Sequence, residues 1–333
     1  MIEPLKVGVI GLGFFGSRHA RVFMEHPAAE LLGIADVDPA RLGEASDATG
    51  ARAFADYRQL LALPGLQAVS ICLPDRLHEE ASIAAAEAGK AILLEKPLAH
   101  TAEAARRIIA AVERSGVRLM IGHILRFDAR YVQVFQAAAV ANLGQPIHLR
   151  AKRNGVRSVA KRLGASSSIL FYMGVHDVDA MQWIGRSKVT KVYAAKCQVL
   201  GTGNEDTLYA VLHFENGAIG SLDYSWAWPN GLMNGFRSAF EIVGTRSAAA
   251  LDVSDQGLSF VTDAGTTGGD THLWPEINGR IAGGLADEIN HFVTATLANT
   301  PYLQHYAEAY DAIPVLDALA ESARGGQPVA VVR

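Results

Sequence analysis

In its N-terminal part the chain alternates short apolar runs with stretches that have the hydrophobic period of a helix. The helical stretches are Phe14–Glu25 and two Ala-rich segments, Leu77–Ala88 and Ala102–Arg114, which end at Gly89 and Gly116. The apolar runs predict strands at Val7–Ile10, Leu31–Ala35, Ala68–Leu73, Ala91–Leu94 and Val117–Ile121. Alternation of strand and helix predicts parallel strands joined by right-handed crossovers. We therefore expect a doubly wound α/β sheet whose ligands bind at the carboxyl ends of its strands.

Beyond Phe127 the apolar residues recur mainly with a period of two, which predicts antiparallel strands. These runs lie at Ile147–Lys152, Val189–Val199, Leu208–Phe214, Ala218–Trp226, Ala239–Val243 and Ala249–Val253. A helix is predicted from about Asp128 to Asn142, and helical periodicity returns at Leu285–Leu297 and Tyr306–Ala323. The Gly- and Thr-rich segment Asp263–Asp270 is predicted to be a mobile loop. This region therefore predicts an α+β domain on an open, mainly antiparallel sheet.

A glycine-rich turn, Gly11-Leu12-Gly13-Phe14-Phe15-Gly16, follows the first apolar run directly, and Asp36 follows the second. Gly11 permits the tight turn, Gly13 lets the backbone approach a pyrophosphate, and Gly16 lets the next helix press against the strand. The amides at the N-terminus of that helix are suited to hold phosphate charge. A Gly-rich loop that binds no nucleotide is the alternative, but strand, turn, helix and acid together predict a dinucleotide site.

Asp36 bears on the choice between NAD and NADP. Its carboxylate can accept hydrogen bonds from the ribose hydroxyls of adenosine and would repel a 2′-phosphate, which favours NAD. An Asp at the end of a strand can instead cap the turn that follows it. Arg41 lies close enough in sequence to tolerate a 2′-phosphate, so the use of NADP stays open.

The composition narrows the range of functions. Half of the 333 residues are hydrophobic and the formal net charge is −4, which suits two globular domains and gives no basic stripe for nucleic acid. We find neither an apolar run long enough to cross a bilayer nor room for a signal peptide before the first strand, so we expect a cytoplasmic protein without nucleic-acid or membrane partners. Cys72 and Cys197 lie in unrelated contexts, and we predict neither a disulfide nor a metal site.

The tripeptide Glu95-Lys96-Pro97 follows the apolar run Ala91–Leu94, and therefore lies at the carboxyl end of a predicted strand. A lysine at this edge can donate hydrogen bonds to a substrate oxygen and to the nicotinamide ribose, and so stabilise an alkoxide as hydride leaves its carbon. Partial burial would lower the pKa of Lys96. The alternative is a surface lysine that precedes a turn-forming proline.

A second candidate group recurs at spacings of three and four residues: Tyr172, His176, Asp179 and Trp183. Side chains with these spacings share one face of a helix. His176 can take the hydroxyl proton as hydride departs, and Asp179 can orient the imidazole ring. A core histidine that a backbone carbonyl satisfies is the alternative interpretation.

Taken in order, these motifs resemble those of the Gfo/Idh/MocA oxidoreductase family, over essentially the whole chain. The matching segments are Gly11–Gly16, Asp36, Cys72-Leu73-Pro74 with His78, Glu95-Lys96-Pro97, Arg126-Phe127-Asp128, Gly174–Asp179, Asn290-His291-Phe292 and Ser322–Val329. The resemblance implies a Rossmann domain at residues 1–121 and a substrate-binding and oligomerisation domain at residues 122–333, whose last helices pack back toward the first domain. It also implies a homodimer or homotetramer and NAD(P)-dependent oxidation or reduction of sugars and cyclitols.

For single residues, the resemblance implies catalytic roles for Lys96 and His176, to which we add Asp179 and Tyr172 as candidates. The residues expected at the cofactor are Gly11, Gly13, Phe14, Phe15, Gly16, Asp36, Leu73, Pro74, His78, Glu95, Lys96 and Arg126. Inositol dehydrogenase-like members have an Asp four residues before the histidine, where this chain has Tyr172. A phenol is a hydrogen-bond donor at neutral pH whereas that Asp would be an anionic acceptor, so myo-inositol as substrate is in doubt.

Two further groups bear on the substrate. A basic series is interpreted as a solvated strand face and loop, with recognition of an anionic substituent as the alternative: Arg150, Lys152, Arg153, Arg157, Lys161 and Arg162. Trp226 and Trp228 are interpreted as interface or core residues, with stacking on a sugar as the alternative. The function expected overall is an NAD-dependent dehydrogenase of a CH–OH group in a sugar, sugar derivative or cyclitol. The alternatives are a redox-neutral glycosidase of the same family and a non-catalytic nucleotide or sugar sensor.

Overall fold

A computed structural model describes residues 3–138, 143–164, 167–254, 256–263 and 265–333. The chain forms two compact units. Unit 1 comprises Met1–Ile124 and Trp274–Tyr310, and unit 2 comprises Leu125–Leu273 and Asp311–Arg333. Residues 139–142 of the predicted helix Asp128–Asn142, and Ala264 of the predicted loop, lie outside the described residues.

Unit 1 contains a parallel sheet, as the alternation of apolar runs predicts. Its strands are β1 Leu5–Ile10, β2 Ala29–Ala35, β3 Arg52–Phe54, β4 Ala68–Ile71, β5 Ala91–Glu95 and β6 Leu119–Gly122. They are hydrogen-bonded in the order β3-β2-β1-β4-β5-β6, and every pair is parallel. The order reverses between β1 and β4, where ligands of doubly wound folds bind. Sequence analysis missed β3, because three residues at a sheet edge carry almost no pattern.

The α-helices of the described residues are, in chain order, α1 Phe14–Glu25, α2 Pro39–Thr49, α3 Tyr57–Leu61, α4 His78–Glu87, α5 Ala102–Ser115, α6 Ala129–Ala137, α7 Arg157–Leu163, α8 Val175–Gly185, α9 Gly284–Ala298 and α10 Tyr306–Gly325. Side chains cap several of them: Asp38 accepts from the N–H groups of Ala40 and Arg41 at α2, and Thr101 caps α5. α9 belongs to unit 1, where the ring of Phe292 lies edge-on to Phe23 of α1, with centroids 6.5 Å apart. The last part of the sequence thus contributes a helix to the core of unit 1.

Unit 2 is built on a mixed, mainly antiparallel sheet. Its strands are β7 Pro146–Val156, β8 Val189–Cys197, β9 Thr207–Phe214, β10 Ile219–Trp228, β11 Phe236–Gly244, β12 Ala248–Asp252 and β17 Val329–Ala330. The order is β12-β11-β7-β10-β9-β8-β17, and the β7–β10 pair is parallel while the others are antiparallel. Tyr224, Trp226 and Phe240 fill its core. The predicted class of both domains is therefore confirmed.

Two short hairpins complete the described strands: β13 Ser259–Thr262 pairs with β14 Gly265–Gly268, and β15 Glu276–Ile277 pairs with β16 Arg280–Ile281. The prediction of a loop at Asp263–Asp270 is wrong for the segment that forms β14, whose Gly and Thr residues gave no period-two signal. No helix among the described residues is long and apolar enough to span a bilayer. The cytoplasmic location and the homodimer or homotetramer stay predictions.

Candidate active site

The predicted site residues fall into two groups, one in each unit. In unit 1 the glycine turn, Asp36, Leu73, Pro74, His78, Glu95 and Lys96 belong to segments at the carboxyl ends of β1, β2, β4 and β5. In unit 2 Arg126, Tyr172, His176 and Asp179 lie in or next to α8 and in the segment before α6. The sheet edge explains the first grouping, because the carboxyl ends of parallel strands meet at one edge.

Steric contacts require glycine at two positions of the turn. The N–H of Gly11 donates to the carbonyl of Ala35 over 2.8 Å, and its φ of +86° lies in the region that favours glycine. A Cβ on Gly11 would lie 2.8 Å from the carbonyl oxygen of Cys72. A Cβ on Gly16 would lie 1.7 Å from the carbonyl oxygen of Gly11. Both glycines are therefore fixed by the turn itself.

Gly13 faces open space, and α1 begins directly after it. A Cβ built on Gly13 meets no atom within 4 Å, and Gly13 has no side chain to cap the helix. The first turn of α1 carries no acidic residue, so its amides and the helix dipole favour an external anion. A groove of about 770 Å³ beside the turn is lined by residues that include Phe14, Arg41 and Trp274. These features fit the pyrophosphate of a dinucleotide.

Phe14 and Phe15 share an aromatic cluster with Trp274. The ring of Trp274 lies edge-on to both, with centroid distances of 5.8 Å to Phe14 and 5.3 Å to Phe15. Phe14 is 52% exposed, and the guanidinium of Arg18 lies 3.7 Å from its ring centroid. About half of the Phe14 surface is therefore open beside the groove, while Arg18 lies over its ring.

The carboxylate of Asp36 is held by two backbone amides. Oδ2 accepts from the N–H of Leu12 over 2.6 Å, and Oδ1 accepts from the N–H of Asp38 over 2.8 Å. Each oxygen keeps a lone pair for a further donor, such as a ribose hydroxyl. Asp36 also caps the turn that follows β2, as the alternative interpretation had it, because Asp38 lies two residues after Asp36. Arg41 forms an ion pair with Asp38 at 3.3 Å.

His78 joins the loops that follow β4 and β5. Its side chain is buried, with Nε2 2.8 Å from the carbonyl oxygen of Leu73 and Nδ1 2.8 Å from that of Pro97. Burial lowers the pKa of His78, although the hydrogen bonds to the carbonyl groups of Leu73 and Pro97 oppose this shift. The Lys96–Pro97 peptide bond is cis. His78 thus fixes the position of the main chain next to Pro74 and Lys96.

Glu95 faces the interior of unit 1. Its Oε2 accepts from the N–H of Lys96 over 3.1 Å, and its Oε1 lies 3.3 Å from Nε2 of His19. Burial alone would raise the pKa of Glu95, but the hydrogen bond and charge of His19 outweigh burial and lower the pKa. Lys96 therefore leaves the strand with its backbone amide held by a carboxylate.

In unit 2, Tyr172 and His176 lie in different kinds of helix. Tyr172 belongs to a π-helical turn, Leu170–Gly174, that leads directly into α8, and His176 lies in the first turn of α8. The assumption of α-helical spacing at Tyr172 is therefore wrong, because a π-turn widens the helix. The ring of Tyr172 lies edge-on to Trp226, with centroids 5.9 Å apart. π-Turns occur frequently at functional sites.

Two buried ion pairs hold the two acids that follow His176 in α8. Asp179 accepts from Nε and Nη2 of Arg126 over 3.0 and 2.8 Å, and Asp177 accepts from Nε and Nη2 of Arg153 over 2.9 and 2.8 Å. Both arrangements are bidentate. Sequence analysis missed the Asp177 pair, although an acid directly after a candidate histidine and a nearby basic series were its signal. Arg153 is mostly buried, so its interpretation as part of a solvated face is wrong.

The remaining substrate candidates divide between core and surface. Trp226 is fully buried, as a core residue should be, while Trp228 is half-buried beneath the guanidinium of Arg237, 5.3 Å from the ring centroid. Arg157 donates to the carbonyl of Ala227 over 2.9 Å. Three further members of the basic series are exposed: Arg150, Lys161 and Arg162.

Comparison with known proteins agrees with this geometry. Residues 5–123 match the NAD-binding Rossmann fold of the Gfo/Idh/MocA oxidoreductase family, and residues 121–250 match that family's C-terminal domain. An uncharacterized oxidoreductase of Bacillus subtilis (strain 168), YrbE, is 30% identical over 261 residues, which cover 76% of this chain and 75% of that protein. Myo-inositol 2-dehydrogenase of Thermotoga maritima is 28% identical over 277 residues, covering 81% and 82%.

A solved structure extends the likeness to the whole chain. GenD2 from gentamicin A biosynthesis, in complex with NAD, has a TM-score of 0.89 and 26% identity, and covers 100% of this chain and 98% of its own. The predicted Rossmann fold, the NAD cofactor and the oxidoreductase class are confirmed. The chain belongs to the Gfo/Idh/MocA family of NAD-binding oxidoreductases.

Proposed function

We propose that the protein is an NAD-dependent dehydrogenase that acts on a CH–OH group of a sugar, sugar derivative or cyclitol. The observation that carries this proposal is the glycine turn with open space above Gly13, in the same unit as Lys96 at the end of β5. The relative from Thermotoga maritima, which is named for its action on myo-inositol, supports a polyol as the substrate class.

The residues of unit 1 suit the cofactor. The amides of the turn and of the first residues of α1 hold the pyrophosphate, and Asp36 accepts hydrogen bonds from the adenosine ribose. Bound NAD supplies the hydride acceptor. We assign Leu73 and Pro74 to the cofactor crevice beside β4, because His78 contacts the carbonyl groups of Leu73 and Pro97 and so keeps this loop in register with the loop after β5.

Two residues act on the substrate oxygen. The ammonium group of Lys96 donates a hydrogen bond to that oxygen and stabilises the negative charge that develops on it. His176 removes the hydroxyl proton in oxidation and returns it in reduction. Asp179 acts through its pair with Arg126, which fixes the rotation of α8 and with it the placement of His176.

Tyr172 shapes the choice of substrate. Its phenol is a hydrogen-bond donor at neutral pH, and its ring packs edge-on to the buried Trp226. A substrate oxygen near Tyr172 therefore acts as acceptor. We infer that Tyr172, unlike an anionic Asp at this position, does not require a hydroxyl donor on the substrate, so that a sugar with a ring oxygen or a carbonyl there also fits.

The test is an absorbance assay for reduced nicotinamide with NAD and NADP separately, against inositols, aldoses, uronic acids and glycosides. We expect reduction of NAD with one substrate class and little reduction of NADP. Product formation without NADH would replace the dehydrogenase by a redox-neutral glycosidase. Tight NAD binding without any turnover would favour a sensor.

Lys96→Ala tests the role of the lysine. Turnover should fall by at least about 100-fold, because removing one donor to a developing oxyanion has this effect. The affinity for NAD, measured by titration calorimetry, should change little. Lys161→Ala, which removes an exposed lysine of α7, is the matched control. Turnover of Lys96→Ala close to that of the control would exclude the role.

A further inference from the structure

Three ionisable side chains from different elements of unit 1 form a buried group, which we call the acid cluster: His19 of α1, Glu95 of β5 and Glu288 of α9. One nitrogen of His19 and one oxygen of each carboxylate all lie within 4.8 Å of one another. His19 and Glu288 are 0% exposed and Glu95 is 9% exposed. Water therefore does not screen these charges.

His19 and Glu95 lie at ion-pair distance from each other, and each has a hydrogen-bond partner elsewhere. His19 places Nδ1 2.9 Å from the hydroxyl of Ser70 and Nε2 3.3 Å from Glu95. Glu95 receives the backbone N–H of Lys96 on its other oxygen. A chain of contacts thus runs from the hydroxyl of Ser70 to the main chain of Lys96.

Glu288 is different, because neither of its carboxylate oxygens has a hydrogen-bond partner among the described residues. It packs against Gly122 of β6, where an added Cβ would lie 3.2 Å from Oε1 of Glu288 and 3.5 Å from the carboxyl carbon of Glu95. The missing side chain at Gly122 leaves the space in which the two carboxyl groups meet. An ionised, unpaired carboxylate at such a place carries a large free-energy cost.

The count of charges decides which group carries the proton. With His19 protonated and both acids ionised, the acid cluster would hold one unbalanced negative charge away from water. A proton on Glu288 removes this charge and leaves the ion pair of His19 and Glu95 intact. Burial, reinforced by the charge of Glu95, raises the pKa of Glu288 well above its usual value. Burial would lower the pKa of His19, but Cys72 and Glu95 outweigh it and raise that pKa.

We propose that Glu288 is a protonated positioning residue, whose neutral acid donates a hydrogen bond to Glu95 and keeps the Glu95 carboxylate locked on the main chain of Lys96. The hydrogen bond from its backbone amide to Glu95 thereby fixes the main chain of Lys96 while the Lys96 side chain contacts the substrate. The consequence for turnover depends on the proposed role of Lys96, whereas the protonation of Glu288 does not.

The first experiment measures the proton directly. Infrared difference spectra of wild type minus Glu288→Gln at neutral pH should show the carbonyl-stretch band of a protonated carboxylic acid, shifted in heavy water. Glu30→Gln, which removes an exposed acid of unit 1, should show no such band. Absence of the band from the Glu288→Gln difference would overturn the proposal. A divalent metal bound stoichiometrically in the wild type and lost from Glu288→Gln would overturn it as well.

The second experiment separates a neutral donor from a required charge. The amide of Gln can replace the donor of a protonated acid, so Glu288→Gln should keep kcat within about 3-fold of the wild type. Glu95→Gln removes the charge that pairs with His19, and kcat should fall by 10-fold or more with little change in KM for NAD, since misplacement of a reacting group by about 1 Å can cost about 100-fold. Equal loss of kcat in both variants would contradict the assignment of the proton.

A third measurement does not depend on activity. Amide hydrogen exchange of the peptide that contains Lys96 should be as slow in Glu288→Gln as in the wild type, and faster in Glu288→Ala, which offers Glu95 no donor. Fast exchange in Glu288→Gln would refute the link between Glu288 and the Lys96 main chain. Because this readout needs no substrate, it separates failure of the acid cluster from failure of the proposed function.

Discussion

The two units solve the burial of carboxylates in different ways. In unit 2 each buried acid next to His176 has its own guanidinium: Asp177 pairs with Arg153 and Asp179 with Arg126, both in bidentate geometry. In unit 1 two acids, Glu95 and Glu288, share a single histidine. Charges balance one to one at these two acids of unit 2, whereas the acid cluster of unit 1 needs a proton to balance them. The comparison teaches that α8 is held by fixed ion pairs, while the end of β5 is held by groups that titrate.

The largest effect should follow from breaking one of the fixed pairs. Arg153→Met deprives buried Asp177 of its guanidinium, and the free energy of unfolding, measured by urea denaturation, should fall by about 3–5 kcal/mol. The double variant Arg153→Met/Asp177→Leu should recover most of this loss, because it removes both charges. Lys188→Ala, which breaks a pair with Asp311 whose lysine is half exposed, is the control. If the free energy of unfolding of Arg153→Met fell by less than about 1 kcal/mol, Asp177 would be solvated, and the contrast between the carboxylates of the two units would be wrong.

A smaller effect should appear in the pH dependence of stability. The raised pKa keeps Glu288 protonated in the folded protein at pH values where the unfolded chain, with a pKa of about 4.3, has lost the proton. This stabilisation is full below about pH 4.3 and is lost as the pH rises through the folded-state pKa, with a slope of at most about 1.4 kcal/mol per pH unit.

Glu288→Gln should remove that slope. Thermal or urea unfolding between about pH 5 and pH 8 should show a stability that falls less steeply with pH in the variant than in the wild type. The difference between the two proteins reports Glu288 together with its coupling to Glu95 and His19. If stability depended on pH equally in the wild type and in Glu288→Gln, Glu288 would not hold a proton in the folded protein. The proposed contrast between the two units would then be wrong.

The smallest effect belongs to a surface pair, which sets the scale for the other two. Arg58 contacts Asp56 and Glu80 while its own side chain is 59% exposed and that of Glu80 is 65% exposed. Arg58→Ala should change the free energy of unfolding by less than about 1 kcal/mol, and less still at high salt. If Arg58→Ala lowered the free energy of unfolding as much as Arg153→Met does, burial would not explain why the pairs differ in strength.

Much of the fold follows from the sequence, because its signals are local. The helix Phe14–Glu25 was predicted with its observed bounds, since Gly13 and the period of apolar residues mark its start. The parallel strands of unit 1 were predicted from continuous apolar runs. The parallel pairing of β7 with β10 was not, because these strands are separated by two others in the chain and pairing direction leaves no trace in either run.

The candidate sites show the same difference between local signals, which the sequence carries, and contacts between distant elements, which it does not. The glycine turn and Asp36 could be predicted as a dinucleotide site because strand, turn, helix and acid follow one another locally in the sequence. The π-turn at Tyr172 was missed, since its residues fit an α-helix equally well. The acid cluster was missed because His19, Glu95 and Glu288 lie on three elements far apart in sequence. Their meeting depends on packing across Gly122.

The open space above Gly13 makes folding and ligand capture separable in this chain. Gly13 has a φ of −66°, which alanine adopts without strain, and an added methyl group would meet no protein atom within 4 Å. Gly13→Ala should therefore fold as the wild type does, yet fill the place where backbone and pyrophosphate meet. Such a variant would be a folded control that does not bind the nucleotide. The effects of the cofactor on shape, stability and assembly can be measured against it.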